Sequence, residues 1–224
     1  VTGLDATLSS TGAFTVLAPT NDAFDAFLTS INAASLDDIP VDILTNVLLN
    51  HVFLGEVQSS ALTNGYASTQ AISNASDTNM SIYINTDNGV IFNGVSSVTT
   101  ADVVASNGIV HIVDSVIGLP TVVTFAVADP NFEILVHALT RDDLTMDFVG
   151  LLNSSTSPPT PLTVFAPVNN AFVNLLDELG LNGLNDIDEP TLSAVLTYHV
   201  ITGANQLSIN LSDGMEFTTA GGGA

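Results

Sequence analysis

The chain has 224 residues, of which 46% are hydrophobic and only 11% are charged. The length suits one or two ordinary domains, and the composition allows a sizeable apolar core. The charge is one-sided, because 23 Asp and Glu residues stand against a single basic residue, Arg141, for a formal net charge of −22. Such a surface excludes binding to nucleic acid or anionic membranes, since both depend on Lys and Arg contacts. The lack of Cys excludes disulfides, thiol catalysis and thiolate metal sites.

A short apolar stretch that stops at Pro19 is followed directly by a helical pattern. Proline has no N–H and ends a strand, and Thr20 or Asn21 can cap the helix that follows. Four apolar residues then recur at i, i+3, i+4 and i+7, namely Phe24, Phe27, Leu28 and Ile31. This spacing predicts one buried helix face.

The same pattern returns in residues 162–179, at a constant offset of 148. The chain therefore contains an internal repeat. Val168 cannot cap a helix, so a design shared by both copies favours Asn21 and Asn169 as the caps.

A second helix is predicted in each copy, again with an apolar face and with a histidine at its end. Its face residues are Leu44, Val47, Leu48 and His51 in the first copy, and Leu192, Val195, Leu196 and His199 in the second. Gly55 and Gly203 follow at matching positions, and we expect them to end the two helices, because glycine is common at helix C-termini.

From Val57 onward the apolar period changes from 3.6 to 2, which predicts short β-strands. Asn107-Gly108 between two apolar runs is a strong hairpin signal. Pro120 marks the boundary between the copies, and beyond it residues 132–139 predict another amphipathic helix. Residues 154–161 predict a loop.

Three segments together resemble the signature motifs of the fasciclin domain family. Residues 14–24 and 162–172 resemble its first motif, and residues 107–120 resemble its closing motif. The resemblance implies an α+β fold, in which short β-strands form a two-sheet wedge with several packed helices, present here as two tandem copies. It also implies extracellular or cell-surface adhesion or matrix work.

The repeat divides the chain at residue 120 but leaves both copies incomplete. Residues 1–120 are expected to form a first fasciclin-like domain that lacks its N-terminal helices. Residues 121–224 are expected to form a second one that lacks its C-terminal strands. We therefore hypothesise that the sequence is a window on a longer tandem array.

The candidate binding residues stand where the family has its Tyr-His motif: Asn50, His51, Tyr198 and His199. Two interpretations remain open for the histidines, which are either buried, hydrogen-bonded neutral rings or determinants of binding. His111 lies within a predicted strand and is interpreted as structural.

Catalytic patterns are missing from the sequence: it contains no Gly-x-Ser-x-Gly, His-Glu-x-x-His or phosphate loop. We expect a protein that is not an enzyme and that has no cofactor and no metal site. Weak calcium binding by acidic loops stays an alternative, although no loop completes an EF-hand. The loops concerned are residues 37–42, 85–89 and 186–189.

The main hypothesis is an extracellular or cell-surface adhesion or structural module. Its expected partners are surface proteins, extracellular polysaccharide, neighbouring fasciclin domains or copies of itself, with no nucleic acid and no membrane span. The alternative is a surface protein that binds a small ligand or calcium.

Overall fold

The computed structural model describes residues 2–10, 12–153 and 161–222. It divides into two compact units, Val1–Pro120 and Thr121–Ala224. Each unit is mixed α+β, as expected from the sequence.

The first unit contains three helices and seven strands in its described part. In chain order they are α1 (Leu4–Leu8), β1 (Phe14–Pro19), α2 (Asn21–Ser30), α3 (Val41–Leu49), β2 (Val52–Leu54), β3 (Gly65–Ile72), β4 (Asn79–Asn85), β5 (Ile91–Phe92), β6 (Ser96–Ala105) and β7 (Gly108–Val113).

The seven strands are hydrogen-bonded in the order β2-β1-β7-β6-β5-β4-β3. The long strand β6 joins two halves, because its first residues pair with β5 and the rest pairs with β7. The pairing of β1 with β7 is parallel over six residues, from Phe14↔Gly108 to Pro19↔Val113. A side chain at Gly108 would overlap the Phe14 carbonyl oxygen, so this close strand pair requires glycine.

The core of the first unit lies between the two halves of this sheet. Its buried members are Leu17, Phe53, Ile82, Ile84, Phe92, Val113 and Ile117. A second, smaller cluster forms under the helices, where Ala23 and Val47 contact Val116, with Phe24, Phe27 and Leu119 packed around them. The segment after β7 therefore seals the helical side of the unit.

The second unit is mainly helical in its described part. It contains α4 (Val122–Ala128), α5 (Glu133–Leu139), α6 (Phe148–Asn153), β8 (Leu162–Val164), α7 (Asn169–Leu179), α8 (Glu189–Tyr198) and β9 (Val200–Thr202). Its core joins the helix that precedes the repeat motif to α7 and α8, through Leu135, Ala138, Phe148, Phe172, Ile187, Leu192 and Leu196.

The structure corrects the helix caps. Thr20, not Asn21, caps α2, and its hydroxyl accepts the Ala23 N–H at 3.2 Å. At the start of α7, Val168 holds the same extended backbone but offers no cap. Asn169 instead receives the Ile134 N–H and donates to the Pro130 carbonyl, which ties α7 to α5. Asn169, which the sequence predicted as a cap, thus links two helices by hydrogen bonds.

The glycine prediction was also wrong, because Gly55 and Gly203 do not end helices. They follow the three-residue strands β2 and β9 and adopt positive φ angles of 88° and 75°. The two histidines accordingly lie in the short turn between helix and strand, one or two residues beyond the last helical residue.

The hairpin prediction is confirmed. The β6–β7 hairpin is present, with Ala105 opposite Gly108 and a two-residue connection. Asp129 caps the turn Pro130–Phe132, which leads into α5. The predicted loop 154–161 lies outside the described residues except for its last position. Over the described ranges, no single helix is long and apolar enough to span a membrane; one pair bent by 97°, Val122–Ala128 with Pro130–Leu139, passes on length and composition alone.

Candidate functional site

The candidate residues of the first unit are buried at the junction of α3, β3 and the segment after β7. His51 Nδ1 lies 2.8 Å from the Val47 carbonyl oxygen, and the Ile117 N–H donates to His51 Nε2 at 2.9 Å. Since Nε2 accepts, the ring is neutral and carries its proton on Nδ1, which donates to Val47. Burial lowers the pKa of His51, and the hydrogen bond to Val47 opposes this only partly.

Asn50 forms a second buried link to the same segment. Its amide nitrogen donates to the Gly118 carbonyl at 3.0 Å and, at 3.4 Å, to that of Ile117. Its amide oxygen accepts the Thr69 hydroxyl at 3.1 Å. Asn50 and His51 thus hold residues 116–119 against the helices, and both are removed from solvent.

The second unit repeats this geometry only in part. His199 Nδ1 lies 2.8 Å from the Val195 carbonyl oxygen, as in the first unit. The Phe165 N–H donates to the His199 carbonyl at 2.9 Å, and the equivalent bond from Leu17 to His51 is 2.8 Å. Within residues 121–153 and 161–222, however, no group bonds to His199 Nε2, and the Tyr198 side chain is 63% exposed.

An open groove lies beside these two residues, between α7 and α8. It has a volume of about 680 Å³ and is lined mainly by apolar side chains: Pro167, Ala171, Phe172, Asn174, Leu175, Glu178, Ala194, Val195, Tyr198 and His199. The sequence motifs pointed to Tyr198 and His199 but not to the rest of the lining. The offset of 148 could have found it, because Ala171, Leu175 and Val195 correspond to Ala23, Phe27 and Val47.

His111 is structural, as interpreted from its strand position. It is fully buried, its Nδ1 accepts the Asp102 N–H at 3.1 Å, and its Nε2–H donates to the Val57 carbonyl at 3.0 Å. It fixes the irregular part of β6 against the connection after β2.

The acidic loops use their carboxylates for local structure. Asp38 accepts the N–H groups of Ala34 and Ser35, and Asp186 accepts those of the matching residues Asn182 and Gly183. Among the described residues, no three His, Asp or Glu side chains converge in a metal-binding geometry.

The single basic side chain is held by its neighbours. Arg141 forms two hydrogen bonds to the Asp143 carboxylate, at 2.6 and 2.9 Å, and donates to the Leu184 and Ile187 carbonyls. The same contact lowers the pKa of Asp143, chiefly through the side-chain hydrogen bond from Arg141. The guanidinium joins the start of the loop after α5 to the turn before α8.

Comparison with known proteins finds a matching family model and several relatives of this chain. The family model described as "Fasciclin domain" matches residues 1–120 and 130–224. Human periostin is 26% identical over 206 residues, which cover 89% of this chain and 22% of periostin. Protein sll1483 of Synechocystis is 33% identical over 110 residues, covering 49% of this chain and 57% of that protein. The chain thus spans less than two thirds of either relative.

Among solved structures, a FAS1 domain pair from the insect cell adhesion molecule fasciclin I shares the fold. The TM-score is 0.50 at 20% sequence identity, and the match covers 90% of this chain and 69% of the other.

Proposed function

The chain belongs to the fasciclin domain family, and on this premise we propose that it is an extracellular or cell-surface adhesion and structural module. It would act by contacts with surface proteins or extracellular polysaccharide, and with fasciclin units of neighbouring molecules. The observation that carries the proposal is the tandem pair of fasciclin units, an arrangement that also occurs in an insect cell adhesion molecule.

The polar groups at the family motif support a binding role without catalysis. The imidazoles of His51 and His111 are each held between two backbone groups, so their nitrogens are already used in hydrogen bonds. The more accessible groups at the motif belong to the second unit, at Tyr198 and His199. We therefore propose these two residues as the binding determinants, with Asn50 and His51 as their buried structural counterparts.

A glycan array and a pull-down from intact source cells test the adhesion function. The 224-residue chain, immobilised on beads, should retain a protein or polysaccharide of the cell surface. The variant Tyr198→Ser removes the exposed ring and is expected to weaken capture, whereas Tyr66→Ser, an exposed tyrosine of the first unit, serves as the matched control. The proposal fails if the chain retains no surface component.

A small apolar ligand is the second candidate, because the α7–α8 groove has the volume of ordinary ligand pockets, roughly 300–1,000 Å³. Native mass spectrometry of protein purified from its source would reveal such a ligand. One tightly held molecule, together with no capture of surface components, would favour this alternative. Weak calcium binding is a further proposal, tested by titration calorimetry with Ca²⁺.

A further inference from the structure

Five asparagines of the chain are each followed by a glycine: Asn64, Asn88, Asn93, Asn107 and Asn182. Asparagine is one of the chemically labile residues. In an Asn-Gly pair the backbone nitrogen of the glycine can attack the side-chain amide carbon of the asparagine, because glycine has no Cβ to hinder the approach and adopts conformations that other residues avoid. In a folded protein this reaction requires that both groups are free and reached by water.

In two of the pairs the fold holds the asparagine side chain at both ends or removes it from water. Asn64 accepts the N–H and the hydroxyl of Thr86, and it donates to the Asp87 carboxylate at 2.8 Å. Asn93 is buried and accepts the Tyr83 N–H at 2.8 Å. Turning either amide carbon toward the following glycine would break these hydrogen bonds, so both pairs are protected.

Two further pairs are held through one of the reacting groups. The Asn107 side chain donates to the Leu8 carbonyl at 2.7 Å. In the Asn182 pair it is the attacking nitrogen that is held, because the Gly183 N–H donates to the Asp186 carboxylate at 3.1 Å. That carboxylate also opposes loss of the proton from the nitrogen, since a nearby negative charge disfavours a developing anion.

Asn88 differs from the other four. It lies in the turn between β4 and β5, and both Asn88 and Gly89 are exposed. Over the described ranges, no group bonds to the Asn88 side chain and no side chain holds the Gly89 N–H. Gly89 has a φ angle of 90°, and the space where a Cβ would lie is open. The hydrogen bonds of this turn belong to its neighbours, because Asn85 accepts the Asp87 N–H at 3.0 Å.

We infer that Asn88 is a site of spontaneous deamidation in the folded protein. The Gly89 nitrogen gives up its proton to water and forms a bond to Asn88 Cγ, and the side-chain amide nitrogen leaves as ammonia. The product is a cyclic succinimide. Water then adds to one of its two carbonyls and the bond from that carbonyl to the nitrogen breaks, which leaves aspartate or isoaspartate at residue 88. The net reaction consumes one water and releases one ammonia.

Both products alter the β4–β5 turn. Each adds a negative charge beside Asp87, in a protein whose net charge is already −22. Isoaspartate also carries the main chain through its side-chain carbon, so the turn gains one methylene group. The β4–β5 pairing consists of only two residue pairs, Ile84↔Phe92 and Asn85↔Ile91, and offers little resistance to a longer turn.

Ageing of the 224-residue chain in ¹⁸O-labelled water, at neutral pH and physiological temperature, tests the inference. Peptic peptides analysed by mass spectrometry report the conversion and the ¹⁸O uptake at each asparagine. In the folded chain, residue 88 should take up one ¹⁸O and should convert at least tenfold faster than each of the other four. In guanidinium chloride all five should convert at rates within about threefold of one another, because each is followed by glycine and the fold no longer protects any of them.

Two matched variants locate the reaction. Asn88→Gln should remove the early product, because attack on the longer side chain requires a less favourable, larger ring. Asn182→Gln, at an exposed position of the second unit, should leave the early product unchanged. Circular dichroism establishes that both variants are folded.

Three results would overturn the proposal. The first is conversion of Asn88 no faster than that of Asn64 in the folded chain. The second is an equally large advantage of Asn88 in guanidinium chloride, which would show that the fold does not set the difference. The third is an undiminished early product in Asn88→Gln.

Discussion

At the residue scale, the two copies use equivalent positions in different ways. Asn50 is a buried connector and Tyr198 an exposed ring, although both precede a histidine with the same bond to its helix. The difference follows from what lies next to them. Residues 116–119 cover Asn50 and His51, and in the described part of the second unit nothing equivalent covers Tyr198 and His199.

The two histidines should therefore contribute unequally to stability. His51→Ala leaves the Ile117 N–H without its acceptor and removes packing, so the free energy of unfolding is expected to fall by about 1–3 kcal/mol. His199→Ala removes one bond at a half-buried site, so less than about 1 kcal/mol is expected. Hydrogen exchange of peptides from each unit, followed in increasing urea, measures both values. Equal losses would contradict this account.

Exchanging the two residues that precede the histidines, Asn50 and Tyr198, tests the buried role of Asn50. Asn50→Tyr places a ring where the native side chain is fully buried, and it removes the hydrogen bonds of Asn50 to Thr69 and Gly118. The free energy of unfolding is therefore expected to fall by about 2 kcal/mol or more. Tyr198→Asn changes an exposed side chain and should alter stability by less than about 0.5 kcal/mol. The same exchange measurement compares them, and a strongly destabilised Tyr198→Asn would count against the assignment.

His51 also predicts a pH dependence. Its pKa is lowered on folding, so the unfolded chain binds the proton more readily, and stability falls as the pH drops below the unfolded value of about 6.5. The free energy of unfolding changes by at most about 1.4 kcal/mol per pH unit. This change occurs at pH values above those at which carboxylates titrate. Urea midpoints at pH 7.5 and 5.5 should differ less in His51→Ala than in the wild type. An unchanged difference would show that other groups cause the slope.

At the scale of elements, the repeat preserves turns more faithfully than caps. The bonds of Asp38 recur at Asp186, and those of Thr15 recur at Thr163, with the partners of Thr163 shifted by one inserted residue. The caps of α2 and α7 differ, because Val168 stands in the second unit where Thr20 caps the helix in the first. Asn169 holds α5 in the second unit, and the first unit has no matching contact among its described residues.

This difference allows a stabilising substitution. Val168 has φ −74° and ψ 165°, close to the −69° and 166° of Thr20. The Ala171 N–H bonds to the Val168 carbonyl at 2.9 Å, so the hydroxyl of Val168→Thr would be a second acceptor for it. The substitution should stabilise the second unit by about 0.5 kcal/mol, at the low end of capping effects, while Thr20→Ala should destabilise the first by about 0.5–2 kcal/mol. Thermal unfolding of both variants tests this. An unchanged or lower melting temperature for Val168→Thr would show that the cap does not form.

At the scale of the whole molecule, the net charge of −22 is the dominant feature. The single arginine is already engaged by Asp143 and by two backbone carbonyls, so it offers little to an anionic partner. Acidic groups are shared almost equally between the units, with 11 of the 23 in residues 1–120. Contacts between copies must therefore overcome repulsion from every side.

Self-association should accordingly increase with salt. Added NaCl shortens the range of repulsion to about 8 Å at physiological ionic strength, and millimolar divalent cations should act more strongly. Light scattering across NaCl, MgCl₂ and CaCl₂ series measures the effect, with the difference between Mg²⁺ and Ca²⁺ as the control for a specific calcium site. Association that weakens steadily as salt rises would indicate attraction between complementary charges instead.

The sequence by itself determined the features that depend on local pattern. The offset of 148, the helices on either side of the repeat motif, the β6–β7 hairpin and the boundary at Pro120 all follow from periodicity, turn residues and proline chemistry within a few neighbouring residues. The fasciclin family was recognisable for the same reason, since its motifs are contiguous.

Tertiary structure alone decided what each side chain meets. His51 bonds to Ile117, 66 residues away, and Asn169 bonds to Ile134, 35 residues away. No local pattern specifies such partners, so Asn21 and Asn169 were equally good caps by sequence, and neither is the cap. The same physical reason explains the groove. Ala171, Leu175 and Val195 line it where Ala23, Phe27 and Val47 lie in the first unit, and among the described residues a segment equivalent to 116–119 packs on the first unit alone.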